Sequence, residues 1–271
     1  MNSIPFTQRT VPKATGIRPL HLAGSLLLFG IPALVMFASM HSGLPALERA
    51  GLTPFEAFIV VTTVPMAILL AAALAALVRE QSIESLAQLG GALRTRMRFP
   101  RLTRRAILLG LGTYGALLLV GGLFAVLERT LVSAGFIPLP QTIPALLDPR
   151  ATLDAATLAH FAGGQLAGNW GIVVLFGLQL FFNIAGEELW WRGYVLPRQE
   201  LAFGRRAWIV HGLLWTGFHT FKWWNLLSVL PLALILSFAA QRSRNNWVPV
   251  IAHLLANTLL LWLLIAGVLG R

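Results

Sequence analysis

Seven runs of apolar residues account for most of this chain: about Leu20 to Met40, Ala57 to Val78, Ala106 to Leu127, Trp170 to Leu196, Ala207 to Phe221, Leu226 to Ala240 and Trp247 to Leu269. Several reach about 20 residues, enough at about 1.5 Å per residue to cross a hydrocarbon core of about 30 Å. In lipid a backbone must satisfy its own N–H and C=O groups, and without strand-like alternation that leaves helices. The expected fold class is all-α: a polytopic transmembrane bundle of about seven spans, read as a single membrane domain over 1–271. Only 11% of the 271 residues are charged, less than half of the roughly 25% usual in soluble domains. That excludes a disordered chain and an ordinary soluble enzyme.

The 21 Lys and Arg against 10 Asp and Glu give a formal charge of +11. These cations cluster at the ends of apolar runs, where the positive-inside bias puts them, so nucleic acid is not an expected partner and membrane lipid is. Residues 1–18 are basic, with Arg9, Lys13 and Arg18, and precede a run longer than a signal-peptide core, which is read as a retained span. Residues 79–105 carry seven arginines against Glu80 and Glu84, and within them Ser82 to Leu93 has the pattern of an interfacial helix despite Gly90-Gly91. Arg198, Arg205, Arg206, Arg242 and Arg244 fall in later connections. Seven crossings put all the strongly basic segments on one side, with a cytoplasmic N-terminus and an outside C-terminus. Trp223, Trp224 and Trp247 are expected in interfacial belts. Four prolines argue against one helix across 128–169. Arginine outnumbers lysine 19 to 2, a cue toward a GC-rich bacterial genome and so a bacterial inner membrane.

Two acidic residues stand inside an apolar run. A carboxylate at bilayer depth costs about 2.5–3.5 kcal/mol or more, so Glu187-Glu188 in the fourth run need a reason to be there. Arg192 lies four residues after Glu188, the spacing at which helical side chains meet. That pairing accounts for Glu188 and leaves Glu187 without a local cation. His219, in the fifth run, and His253, in the seventh with Asn257 one turn on, are the other polar groups of interest. Counted inward from the cytoplasmic arginines Arg198, Arg206 and Arg244 at about 1.5 Å per residue, Glu187, His219 and His253 lie at about 16, 20 and 14 Å. Three helices thus bring a carboxylate and two imidazoles to similar depth.

Other hydrolytic chemistries lack their residues. Both aspartates, Asp148 and Asp154, lie in the long connection. There is no HExxH helix, no GxSxG elbow and no cysteine. Glu187 is the best available base. Two His and one Glu are also a known zinc set, so a metal held by Glu187, His219 and His253 stays open beside a metal-free glutamate mechanism, which is preferred.

The pattern resembles the CPBP family of intramembrane proteases, the type II CAAX prenyl endopeptidase or ABI family. Its EExxxR motif is matched by Glu187, Glu188 and Arg192, with Gly193-Tyr194-Val195-Leu196-Pro197 following. Its FxxxH motif is matched at His219 with Trp215 in place of Phe. Phe238 and Arg242 resemble a weaker motif, and His253 with Asn257 match the last one. The likeness spans about 170–260 and implies an endopeptidase acting on a membrane-associated protein or peptide, in a cavity open to the cytoplasm. It implies Glu187, His219, His253 and Asn257 as catalytic residues, the last three stabilising an oxyanion or orienting water, with Glu188 and Arg192 in support. Prenylated proteins are substrates of eukaryotic relatives, whereas bacterial relatives are more often linked to peptide processing, so prenylation of the substrate stays open. The competing expectations are a non-enzymatic immunity or scaffold protein of the same fold, and a proton-coupled transporter using the buried Glu and His as a relay.

Overall fold

A computed structural model describes residues 17–141 and 143–270; Arg9 and Lys13 of the basic N-terminal segment lie outside them. Among the described residues the chain is helical with no strand. The helices are α1 (Leu22–Ala38), α2 (Leu44–Arg49), α3 (Pro54–Gln81), α4 (Leu86–Thr95), α5 (Arg104–Ala116), α6 (Gly122–Ser133), α7 (Ala155–Phe161), α8 (Trp170–Glu187), α9 (Leu196–Phe203), α10 (Ala207–Phe218), α11 (Leu226–Ser243) and α12 (Trp247–Val268). Wide π-helical turns join α1 to α2 (Ser39–Gly43), α5 to α6 (Leu117–Gly121) and α8 to α9 (Glu188–Val195).

Five continuous helical stretches are long and apolar enough to cross a membrane: Leu22–Arg49, Pro54–Gln81, Arg104–Ser133, Trp170–Ser243 and Trp247–Val268. The fourth turns back on itself twice, and its three passes bring the total to seven. Contacts between segments fix the direction of each pass. At one end, the Leu20 N–H donates to Arg198 O (3.1 Å), Asn246 Nδ2 to Met97 O (2.7 Å) and the Trp208 N–H to Gln241 Oε1 (2.7 Å). Glu80 there pairs with Arg96 and Arg198. At the other end, Glu128 accepts from Asn225 and Ser228, Trp224 Nε1 donates to Leu147 O (2.7 Å), and the Gly168 N–H to Val268 O (2.9 Å). The chain therefore enters at the arginine-rich end and finishes at the arginine-poor one. Large apolar residues such as Leu34, Leu108, Leu119 and Leu259 are exposed along the passes, as a lipid-facing surface requires. This is an integral membrane protein.

Local sequence explains the helix starts. Thr53 and Glu56 form a reciprocal capping box at the start of α3, with Pro54 in the first turn where its missing N–H costs nothing. Ser85 and Gln88 cap α4 in the same way. That helix is the expected interfacial one, displaced to start at Leu86, and Ala92 packs with Met97 and Leu77. The long connection is broken as its prolines predict, with only one 3-10 turn (Ala145–Leu147) and the short α7. Two expectations change. The fourth pass runs beyond Leu196 to Phe203, because the π turn carries the helix on. Trp224 is buried and bonded to the connection, so it is not a belt residue.

Candidate active site

The site is built where α8 meets α3. A side chain at Gly186 would run into the carbonyl oxygen of Met66, so only glycine lets the two helices approach this closely. Glu187 follows at once, and the wide turn after it carries Glu188, Trp191 and Arg192 into the protein interior, each fully buried. Such π-helical turns recur at functional positions. Trp191 stacks on Phe29 of α1 at 4.2 Å between ring centres, which fixes the rotation of this turn.

The two adjacent glutamates have different partners. Glu187, 4% exposed, accepts a 2.7 Å hydrogen bond on Oε2 from the indole N–H of Trp215. Glu188 accepts from His253 Nδ1 at 2.8 Å on Oε1, and the same oxygen lies 3.2 Å from Arg192 Nη1. The Arg192 contact is coulombic, because its three guanidinium nitrogens make no aligned hydrogen bond among the described residues. The guanidinium lies 4.0 Å from the centre of the Trp215 ring, a favourable cation–π position. Trp215 also sits edge-on between the two histidines, 4.8 Å from His219 and 5.6 Å from His253. The Trp at the motif's Phe position therefore does more than pack: it donates a proton to Glu187 that Phe lacks.

Hydrogen bonds also set the histidine tautomers. His219 Nδ1 lies 2.8 Å from the Trp215 carbonyl oxygen, and His253 Nδ1 faces the Glu188 carboxylate. Both partners only accept, so each Nδ1 is the donor in its bond, and the Nε2 of each ring has no hydrogen-bond partner among the described residues. Asn257, whose Nδ2 donates to His253 O at 3.0 Å, has a second N–H to offer.

Glu187, Trp215, His219, His253 and Asn257 line one cavity of about 360 Å³. Glu188 and Arg192 stand behind it. Four polar residues that the motifs did not single out also line it: Gln179, Asn183, Lys222 and Thr62. The first two precede Glu187 by eight and four residues, so one polar stripe along α8 (Gln179, Asn183, Glu187) was readable from helical spacing. Lys222 follows His219 in a kinked segment (φ −130°, ψ 58°) and has no ion-pair partner among the described residues. The cavity runs past Lys222 to Leu146, Leu147 and Leu153 at the arginine-poor end. The resemblance implies a mouth on the arginine-rich, cytoplasmic face. In the structure Glu80, Arg96 and Arg198 form an ion cluster on that side, with Arg96 and Arg198 also bonded to the carbonyls of Gly193 and Tyr194, and none of the three lines the cavity.

Among the described residues no three His, Asp or Glu side chains gather closely enough to hold an ion, although free Nε2 atoms of anchored histidines are the usual form of a ligand.

Residues 169–259 match the family model described as type II CAAX prenyl endopeptidase Rce1-like. This segment is similar to the Rce1-like family. It covers about a third of the chain, from the residue before α8 to two residues beyond Asn257, and contains every site residue of the motifs. At the family level it supports an intramembrane endopeptidase of the CAAX-protease type. The α3 face that receives Gly186 and the Met36, Met40 and Met66 side of the cavity lie outside the Rce1-like segment. No curated protein and no solved structure matches the chain.

Proposed function

We propose that the protein hydrolyses a peptide bond of a membrane-associated protein or peptide, with Glu187 as the base and no metal step. The reading is carried by one observation: Glu187, His219, His253 and Asn257 line one cavity, and hydrogen bonds outside it leave both imidazole Nε2 atoms without a partner among the described residues. A water that donates one hydrogen to an imidazole Nε2 gives its other proton to the free oxygen of Glu187 while its own oxygen bonds to the scissile carbonyl carbon. The carbonyl oxygen becomes an oxyanion facing the spare Asn257 N–H. When the intermediate collapses, the C–N bond breaks and the proton held by Glu187 passes to the leaving amine. Glu188 anchors His253, and Arg192 balances the Glu188 charge. Lys222, the cation at the cavity wall, holds an anionic end of the substrate, and the methionine-rich wall receives apolar side chains next to the cut.

The positive-inside bias puts the arginine-rich end and the N-terminus in the cytoplasm of a bacterial inner membrane, with the C-terminus outside. In that orientation the cavity mouth faces the outer side. The chain has no cysteine, so single cysteines report topology directly. An impermeant maleimide added to intact spheroplasts is expected to label Leu153→Cys and to spare Arg101→Cys; the reverse pattern overturns the orientation.

The reaction is tested by mass spectrometry of membrane peptides from cells carrying the wild type or Glu187→Gln, followed by rate measurements on the peptide that differs. The variant keeps an acceptor for Trp215. It is expected to lose roughly 10²–10⁴-fold in cleavage rate with an unchanged melting temperature. Full activity in Glu187→Gln ends this reading.

A further inference from the structure

A second hollow, of about 610 Å³, lies at the arginine-rich end between the start of α10 and the end of α11, apart from the site described above. Arg205, Arg242 and Arg244 line it, all three exposed and none with a carboxylate partner among the described residues. Its one acidic residue, Glu200, is already neutralised by a two-pronged bond from Arg98, 2.7 Å to each oxygen. Three uncompensated guanidinium groups around a concavity attract a multivalent oxyanion, and their planar forks match phosphate oxygens.

The hollow is pre-formed. Gln241 braces it by accepting from the Trp208 N–H (2.7 Å) and donating to Gly204 O (2.9 Å), which ties the two helices together. Gly204 (φ 56°, ψ −128°) and Arg244 (φ 51°, ψ 31°) take left-handed backbone positions on its two sides, and Gly204 is the residue type that does so freely. Trp208 and Phe238 form its apolar wall, edge to face at 5.4 Å between ring centres. The Trp208 indole N–H has no acceptor among the described residues, leaving a donor for a bound polar group.

We propose that this hollow binds the phosphate of an anionic phospholipid headgroup. Free phosphate carries the same chemistry, but Phe238, 49% exposed at the rim, with Leu201 and Ile209 also exposed nearby on α9 and α10, offers acyl chains an apolar surface that an inorganic ion does not need.

The test is native mass spectrometry of the full-length protein released from detergent, loaded with phosphatidylglycerol, with phosphatidylcholine, or with inorganic phosphate. One phosphatidylglycerol is expected to stay bound at collision energies that remove phosphatidylcholine. Arg205→Gln/Arg242→Gln/Arg244→Gln should hold it about tenfold more weakly, while Arg101→Gln/Arg104→Gln/Arg105→Gln, which removes equal charge from the same end, should hold it as the wild type does. Equal loss in both triple variants, or equal retention of the two lipids, overturns a built site. Retention of inorganic phosphate in preference to lipid overturns the lipid source. Should the triple variant fold poorly, quenching of tryptophan fluorescence by brominated phosphatidylglycerol gives a second readout. It should fall in Arg242→Gln and in Trp208→Phe, and an unchanged quench in both counts against the proposal.

Discussion

The helical stretch that begins at Trp170 carries two buried ionic clusters, one at Glu188–Arg192 and one just beyond it at Arg198, and they use their bonds differently. In the outer cluster Glu80 takes Arg96 Nε at 2.5 Å and also Arg198. Arg96 donates further to Gly193 O (3.2 Å), Arg198 to Tyr194 O (2.7 Å), and the Arg198 guanidinium lies 3.6 Å from the Tyr194 ring centre. Its charges and donors are largely spent on one another. In the inner cluster Glu188 Oε2 and all three Arg192 nitrogens make no hydrogen bond among the described residues. A buried donor or acceptor left over is costly, so it persists where chemistry needs spare capacity. The contrast separates a cluster whose donors are spent from one with donors to spare, which charge alone does not, since both clusters are ionic.

Breaking the inner cluster should give the largest combined effect. Glu188→Gln leaves Arg192 as an uncompensated charge with no exposure at all, a loss of about 3–5 kcal/mol for a buried pair. It also removes the carboxylate that fixes the His253 tautomer. Cleavage is expected to fall by roughly 10²-fold or more, together with a lower melting temperature. A variant that melts early yet cleaves at the wild-type rate would make Glu188 purely structural and erase the distinction.

Most of the fold was legible in the sequence because lipid leaves the backbone one solution: the seven runs became seven passes, and the expected ends of the second, third and seventh fall within six residues of the observed ones. The π turns were not legible, since they alter helical pitch without altering composition. Glu187, His219, His253 and Asn257 stood out because polar groups are rare in these runs. The Trp215 bond to Glu187 was hidden, because an indole reads as packing until a partner is seen. Lys222 was hidden by its place at the end of an apolar run, where a cation usually signals only the membrane boundary. The position of the cavity mouth could not be read from charge at all. The Glu80 cluster likewise joins residues distant in sequence, Glu80 with Arg198 and Arg96 with Gly193, pairings that charge patterning does not reveal.

Lys222 sharpens the comparison from the open side. It is half-buried at the cavity wall and is the one Lys or Arg among the described lining residues. Lys222→Met keeps the length and apolar stem of the side chain while deleting the charge. A hydrogen-bonded charge contact is worth about 1.5–3 kcal/mol, so KM is expected to rise by roughly tenfold or more while kcat changes little. A fall in kcat with KM unchanged would move Lys222 from substrate binding into the reaction itself.

The smallest effect on cleavage should come from the outer cluster, and it is the strictest control. Glu80 sits at the end of α3, and its partners Arg96 and Arg198 each retain some exposure, with side chains 5% and 10% exposed. Water reaches these charges, so Glu80→Gln should cost less than a fully enclosed pair, about 1–3 kcal/mol. The two arginines keep their bonds to the carbonyls of Gly193 and Tyr194, which hold the π turn in place. Melting temperature is therefore expected to drop while kcat and KM stay within about twofold of wild type at temperatures well below the melt. If cleavage falls as steeply in Glu80→Gln as in Glu188→Gln, the two clusters act as one unit and the arginine-rich face takes part in the reaction. If only stability falls, the outer cluster is purely structural, and access to Glu187 is confined to the side where Lys222 stands.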